Sequence, residues 1–254
     1  MRTSISDVND YRKVCQLAYE DNGVFDGFKN DDIYIEILEH TSPEQGKQYF
    51  EEIMKDNPKL LEPDSIGIFS HNDMLGNPNK SMYGNFINMS PSTLRYIKII
   101  SDLLKLFGDL NGKDIVEIGI GYGGLCLLIC KYFNVKSYTL IDLQEVLNLS
   151  SKYLDYFNLE SKLNFYTQDE LSDNQYDILI SNYSFSECTK ETQDLYIEKV
   201  LNKSKHGYMT NNNISHIFSI NSYNKDELVN RIKKDTKLME EKPLTHKENY
   251  ILYW

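Results

Sequence analysis

The segment Asp114-Ile-Val-Glu117-Ile-Gly119-Ile-Gly121-Tyr122-Gly123-Gly124 limits the fold more than any other stretch of the chain. An apolar, β-branched run leads into four glycines, and a run that reads as a helix, Gly123 to Phe133, follows. Without Cβ atoms the backbone turns tightly and can lie against a ligand, while the helix start offers free N–H groups. The next predicted strand ends at Asp142, about 20 residues further on, where a carboxylate can accept the hydroxyl hydrogens of a ribose. A tight strand-to-helix turn with no ligand is the plain alternative.

From residue 110 onward the chain alternates strand and helix. Strands are predicted at 114–120, 137–142, 163–167, 176–182, 207–211, 236–240 and 249–254, with helices at 123–133, 145–157, 189–202 and 225–234. Buried β-branched strands alternating with helices predict an α/β fold, a mostly parallel sheet covered on both faces. The short polar link EKPLTHKE before the last strand fits a hairpin, so an antiparallel last strand is expected. Before residue 110 helices are predicted at 7–19, 43–55 and 91–107, with an apolar helical or extended piece at 33–38. Residues 57–92 hold Pro58, Pro63, Pro78 and Pro91 and read as a long loop, the usual place for a lid.

Two domains are expected on this reading, a cap and substrate lid over residues 1–110 and a cofactor-binding domain over 111–254. The formal net charge of −11 and a total of four arginines leave no basic face for a phosphate backbone, so a small molecule fits better than a nucleic acid. There is no apolar run long enough to span a membrane and no apolar signal core at the start, which points to the cytoplasm. Cys126 and Cys130 lie on one face of a helix and read as buried thiols; no metal site is assigned. The oligomeric state is open, and a homo-oligomer is compatible with the sequence.

Gly119, Gly121 and Gly124 satisfy GxGxxG, so the bend by itself admits a dinucleotide as well as S-adenosylmethionine. Glu117 tilts the reading toward the latter. A carboxylate there is awkward beside a pyrophosphate and useful near the amino group of a sulfonium ligand.

EIGIGYGG (117–124), IDL (141–143) and SNYSFSE (181–187) resemble motifs of the class I S-adenosylmethionine-dependent methyltransferases. SPSTLRYIK (90–98), YTLIDLQEVL (138–147) and a late GYMTN (207–211), in this order, resemble a family of sugar O-methyltransferases. The likeness spans roughly residues 60–215; the first 50 residues match no pattern. It implies a Rossmann-like sheet, S-adenosylmethionine as cofactor, and a sugar hydroxyl on a nucleotide-sugar or glycan as acceptor. It also assigns cofactor roles to Glu117, Gly119, Gly121 and Asp142. An NAD-dependent oxidoreductase and a non-catalytic ligand-binding module of the same fold are the competing readings.

A sugar hydroxyl is a poor nucleophile at neutral pH, so a base is expected near the carboxyl ends of the strands. Glu187, just past SNYSFSE, is one candidate; a carboxylate favouring the next helix start is its plain reading. His71 and Asp73, with Asn72 between them, form a second candidate group on the predicted lid, where a polar turn is the plain reading. Asn211, Asn213 and His216 follow the fifth strand and suit sugar hydroxyls. Asn182 and Tyr183 are expected to line the methyl channel. Gly123, Tyr122 and Leu143 are placed against the cofactor, Asp169 at the adenine amino group, and Arg95 at the cofactor carboxylate.

Overall fold

The computed structural model describes residues 2–254. The N-terminal part is helical: α1 (Asn9–Glu20), α2 (Asn22–Phe25), α3 (Asp32–Tyr34), a π-helical turn (Ile35–Glu39), α4 (Pro43–Asp56) and α5 (Pro63–Phe69). A hairpin of β1 (Ser81–Tyr83) and β2 (Ile87–Met89) leads to α6 (Pro91–Phe107). Ser90 caps α6 by accepting from the Thr93 N–H, and Gly108, at φ 74°, ends it. Pro91 occupies the first helical turn, where a missing N–H costs nothing.

The second part alternates β3 (Asp114–Ile118), α7 (Gly124–Tyr132), β4 (Ser137–Ile141), α8 (Gln144–Asp155), β5 (Lys162–Tyr166), β6 (Tyr176–Asn182), α9 (Lys190–Lys199), β7 (Ser204–Asn211), α10 (Lys225–Arg231), β8 (Lys237–Glu240) and β9 (Tyr250–Tyr253). The strands form one sheet in the order β5-β4-β3-β6-β7-β9-β8. Neighbours from β5 to β7 are parallel, and β9 runs against both β7 and β8. This is the expected Rossmann-like arrangement with an antiparallel last strand. The chain leaves β3 toward β4 on one side and returns to β6 on the other. The sheet therefore has its switch point between β3 and β6, where a crevice opens at the carboxyl ends.

Alternation along β6 and β7 fixes the two faces. Ile178, Ile180 and Tyr208 join one core with α6, α7 and the N-terminal helices, whereas Leu179 and Met209 join another with α9 and α10. In the first core Tyr11, Phe25, Phe28 and Tyr34 pack with Tyr122, Tyr138 and Tyr153, so the N-terminal part and the sheet share apolar interior. A buried pair, Lys98 Nζ to Asp102 Oδ1 at 2.6 Å, seats α6 on β7, where the Tyr208 hydroxyl donates to Asp102 Oδ2 at 2.8 Å. No helix among the described residues is long and apolar enough to cross a membrane.

The long loop expected at 57–92 is a correction. The segment holds a 3-10 turn (Pro58–Leu61), α5, a second 3-10 turn (Ser70–Asp73) and the β1–β2 hairpin. Pro58 and Pro63 stand at helix starts, where proline's fixed φ suits the chain.

Candidate active site

The bend between β3 and α7 uses its glycines for conformation as much as for space. Gly119, Gly121 and Gly123 have φ of 77°, 53° and 88°, which side-chain-bearing residues rarely adopt. The Gly119 N–H donates to the Ile141 carbonyl at 2.9 Å. A Cβ on Gly119 would meet Ser184, on the loop after β6, and one on Gly123 would meet Leu154 of α8.

Asp142 holds this bend from the neighbouring strand tip. Its Oδ2 accepts the N–H groups of Ile120 at 2.8 Å and Gly121 at 3.2 Å, and its Oδ1 that of Leu143 at 2.8 Å. Removal from solvent pushes its carboxyl up to about 6, against the opposing pull of these three donors.

A cavity of about 320 Å³ opens beside the bend. Gly119, Asp142, Leu143, Asp169, Ser184 and Tyr196 line it. Part of its wall comes from the N-terminal segment: Thr3, Ser4, Ser6, Asp7 and Arg12. The Ile5 N–H donates to the Glu187 carbonyl at 3.0 Å, and the Thr189 N–H to the Thr3 carbonyl at 2.9 Å. Arg12 grips both Glu145 oxygens, at 2.9 and 3.1 Å, and Asp7 at 3.2 Å. These N-terminal residues and Tyr196 belong to no sequence pattern. Only tertiary contact reveals them.

Several residues expected at the ligand lie elsewhere. Glu117 is 3% exposed and sits within the sheet, where the Tyr138 hydroxyl donates to its Oε2 at 2.7 Å. Burial pushes its carboxyl up to about 8. It braces the strand and does not wall the cavity. Tyr122 is wholly buried among Phe28, Tyr96 and Tyr153, with the Lys29 ammonium 4.1 Å above its ring, so it packs the core. Gly121 is covered by Leu38, whose Cδ1 stands 2.9 Å from where a Cβ would be.

The expected lid group is a structural brace. Asp73 accepts from the Ser90 N–H at 2.6 Å, Ser90 Oγ at 2.7 Å and Thr93 Oγ1 at 2.7 Å, tying the turn to the start of α6. Asn72 donates to Thr93 Oγ1 and to the Tyr122 hydroxyl and accepts from the Tyr153 hydroxyl. His71 Nδ1 pairs with the Ile68 carbonyl, and its ring lies edge-on to Phe157. None of the three lines the cavity beside the bend. Asn72 and Asp73 tie this turn to α6 and α8, so the structure does not bring the base expected at His71 and Asp73, or the sugar contact expected of Asn72, to that cavity.

At the tip of β6, Asn182 accepts from Thr210 Oγ1 at 3.3 Å, while its buried Nδ2 has no partner. Alternation along β6 puts Asn182 on the same sheet face as Ile178 and Ile180. Tyr183 follows at φ 66°, a strained position of the kind that gathers at functional sites. Its hydroxyl donates to Glu241, which also accepts from Thr245 and Asn249 in the β8–β9 loop. Arg95 is 9% exposed; its Nη2 donates to the Leu38 carbonyl at 3.2 Å and its guanidinium lies over Tyr96.

Glu187 stands between the cavity-lining Ser184 and Cys188. Asn212 Nδ2 donates to its Oε1 at 2.6 Å. Burial pushes its carboxyl up to about 7, and the Asn212 donor works against that rise. Asn211 is fully buried at the end of β7, its Nδ2 turned back to the Met209 carbonyl at 3.0 Å, and it does not line the cavity where a sugar contact was expected. Asn213 is exposed on the segment after β7. The side chain of His216 lies outside the described residues.

Of the residues expected at the cofactor, Gly119, Asp142, Leu143 and Asp169 line the cavity, whereas Asn182 and Arg95 do not. No protein-family model matches the chain, and no curated protein matches it. Solved structures do. The PH0226 protein from Pyrococcus horikoshii OT3 superposes with a TM-score of 0.50 at 12% identity, over 63% of this chain and 88% of that one. An S-adenosylmethionine-dependent methyltransferase from Clostridium acetobutylicum gives 0.48 at 13% identity, over 61% and 87%. Another from Aquifex aeolicus gives 0.47 at 16%, over 60% and 86%. At such identities the likeness is one of fold. With the strand order above, it agrees with a Rossmann-like, mostly parallel sheet.

Proposed function

We propose that the chain binds S-adenosylmethionine in the cavity beside the glycine bend and transfers its methyl group to a hydroxyl of a sugar or nucleotide-sugar. The observation that carries this reading is the cavity at the sheet's switch point, walled by Gly119 and Asp142. In it Asp142 would hold the ribose hydroxyls and Asp169 the adenine amino group, with Asn182 and Arg95 toward the amino-acid end. When bound, the cofactor supplies a methyl group on a sulfonium, open to in-line displacement.

The chain's own part is to orient the acceptor and take its proton. Glu187 is the carboxylate best suited to that. It lies on the loop after β6 between two cavity-wall residues, Asn212 fixes its orientation, and a pKa near 7 matches a base working at neutral pH. Tyr183, held by Glu241, stands at the adjacent strand tip to shape the acceptor side. The acidic surface, −11 in formal charge, supports a small acceptor over a nucleic acid.

Incubating the protein with methyl-labelled S-adenosylmethionine and a panel of monosaccharides, nucleotide-sugars and RNA tests the reading. Label on a sugar hydroxyl is expected. Label on RNA alone would overturn the acceptor assignment.

A further inference from the structure

The cavity stops at Gly119. One glycine further along the bend, Leu38 takes over. Its Cδ1 and Cδ2 stand 2.9 and 3.2 Å from where a Cβ on Gly121 would be. The same residue's carbonyl accepts Arg95 Nη2 at 3.2 Å. Arg95 is the residue expected at the donor's carboxylate and Gly121 one of the glycines expected against the donor, and Leu38 holds both, one with its backbone and one with its side chain. The surfaces for the nucleoside half, Gly119, Asp142, Leu143 and Asp169, front directly onto the cavity.

Leu38 sits in the π-helical turn Ile35–Glu39, a form found mostly as single turns and frequently at functional sites. The turn is a poor candidate for a rigid wall. Leu38 is only partly buried, and the next residue, Glu39, has a buried Oε1 with no partner. A segment carrying an unsatisfied carboxylate oxygen gains a partner if it moves toward water or a ligand amine.

We infer that Leu38 is a specificity-determining residue of the donor site: the turn must leave Gly121 and Arg95 before the amino-acid half docks, so residue 38 sets how far the site prefers the whole donor to its nucleoside half. The inference rests on reading the cavity as the S-adenosylmethionine site. A ligand that needs the open turn binds with an affinity reduced by the fraction of molecules already open, whereas one that does not need it is unaffected. Shortening Leu38 removes the contact with Gly121 and raises that fraction.

Calorimetric titrations with S-adenosylhomocysteine and with adenosine, on the wild type and Leu38→Ala, test this. The expected result is tighter S-adenosylhomocysteine binding by about tenfold in the variant, with adenosine unchanged within about twofold. Hydrogen exchange on the wild type gives a second readout. S-adenosylhomocysteine should speed amide exchange in residues 35–39, and adenosine should not. Equal gains for both ligands, no gain for either, or unchanged exchange at 35–39 while S-adenosylhomocysteine binds would overturn the inference and leave the cofactor reading standing. Failure of both ligands to bind the wild type would bring down the cofactor reading and this inference together.

Discussion

The Asp142 carboxylate at the tip of β4 accepts the backbone N–H of Gly121 at 3.2 Å, across the gap to the next strand's bend. With the Ile120 and Leu143 donors this makes one side chain the anchor of the bend and, in our reading, the acceptor of the ribose hydroxyls. Asp142→Ala should therefore lower stability by about 2–3 kcal/mol, since hydrogen bonds to charged groups contribute most when their partners are stranded. It should weaken S-adenosylhomocysteine binding by at least about tenfold as well, a loss of about 1.4 kcal/mol. Urea denaturation and calorimetry read the two effects. A variant that is as stable as wild type and binds as tightly would remove both roles.

Asp73 offers the contrast. Its three donors all belong to the start of α6. Asp73→Ala should cost about 2–4 kcal/mol of stability, because a buried hydrogen-bond cluster is broken, while S-adenosylhomocysteine affinity in the folded fraction changes by less than about twofold. Large loss of affinity with stability kept would return Asp73 to the ligand site.

Glu117 predicts a pH effect of definite sign. Its folded pKa, about 8, lies above the ordinary 4.5, so the folded chain binds the extra proton between these values. The neutral form is the stabilising one, and its contribution is lost as pH rises through that window. Glu117→Gln keeps an acceptor for the Tyr138 hydroxyl and carries no charge to bury. Relative to wild type, its stability should gain by a few kcal/mol between pH 5 and pH 8. Urea midpoints at the two pH values check this; parallel behaviour of the two proteins would contradict it.

For Glu187 the expectation concerns turnover. With an acceptor in hand, the wild-type rate should rise with pH through about 7, as the carboxylate forms. Glu187→Gln should lose about 10²-fold in rate with cofactor affinity intact. Asn212→Ala removes a donor that favours the ionised form, so it should move the kinetic pKa upward. An Asn212→Ala profile that stays in place, or moves down, would argue against Glu187 as the base.

The sheet was legible because its signal is local. Runs such as DIVEI and YDILISN are apolar on both faces, and the bend announces itself by glycines that need positive φ. The segment 57–92 was not, since proline marks loops and helix starts alike, and Pro58 and Pro63 stand at helix starts. His71, Asn72 and Asp73 misled for a related reason. Their neighbours in sequence look like a turn, but the partners that decide the role of Asn72 and Asp73 lie 17 to 81 residues away. The N-terminal wall of the cavity and the Leu38 contact with Gly121 also depend on distant residues. No spacing rule within residues 1–50 points to them.

The central claim is that the cavity beside Gly119 receives an adenosyl methyl donor. Titrating S-adenosylhomocysteine and NAD into the same preparation in a calorimeter tests it most directly. One molecule of S-adenosylhomocysteine should bind per chain at micromolar affinity, binding should be lost in Asp142→Ala, and NAD should give no heat at the same concentrations. Saturable binding of NAD with none of S-adenosylhomocysteine would contradict it.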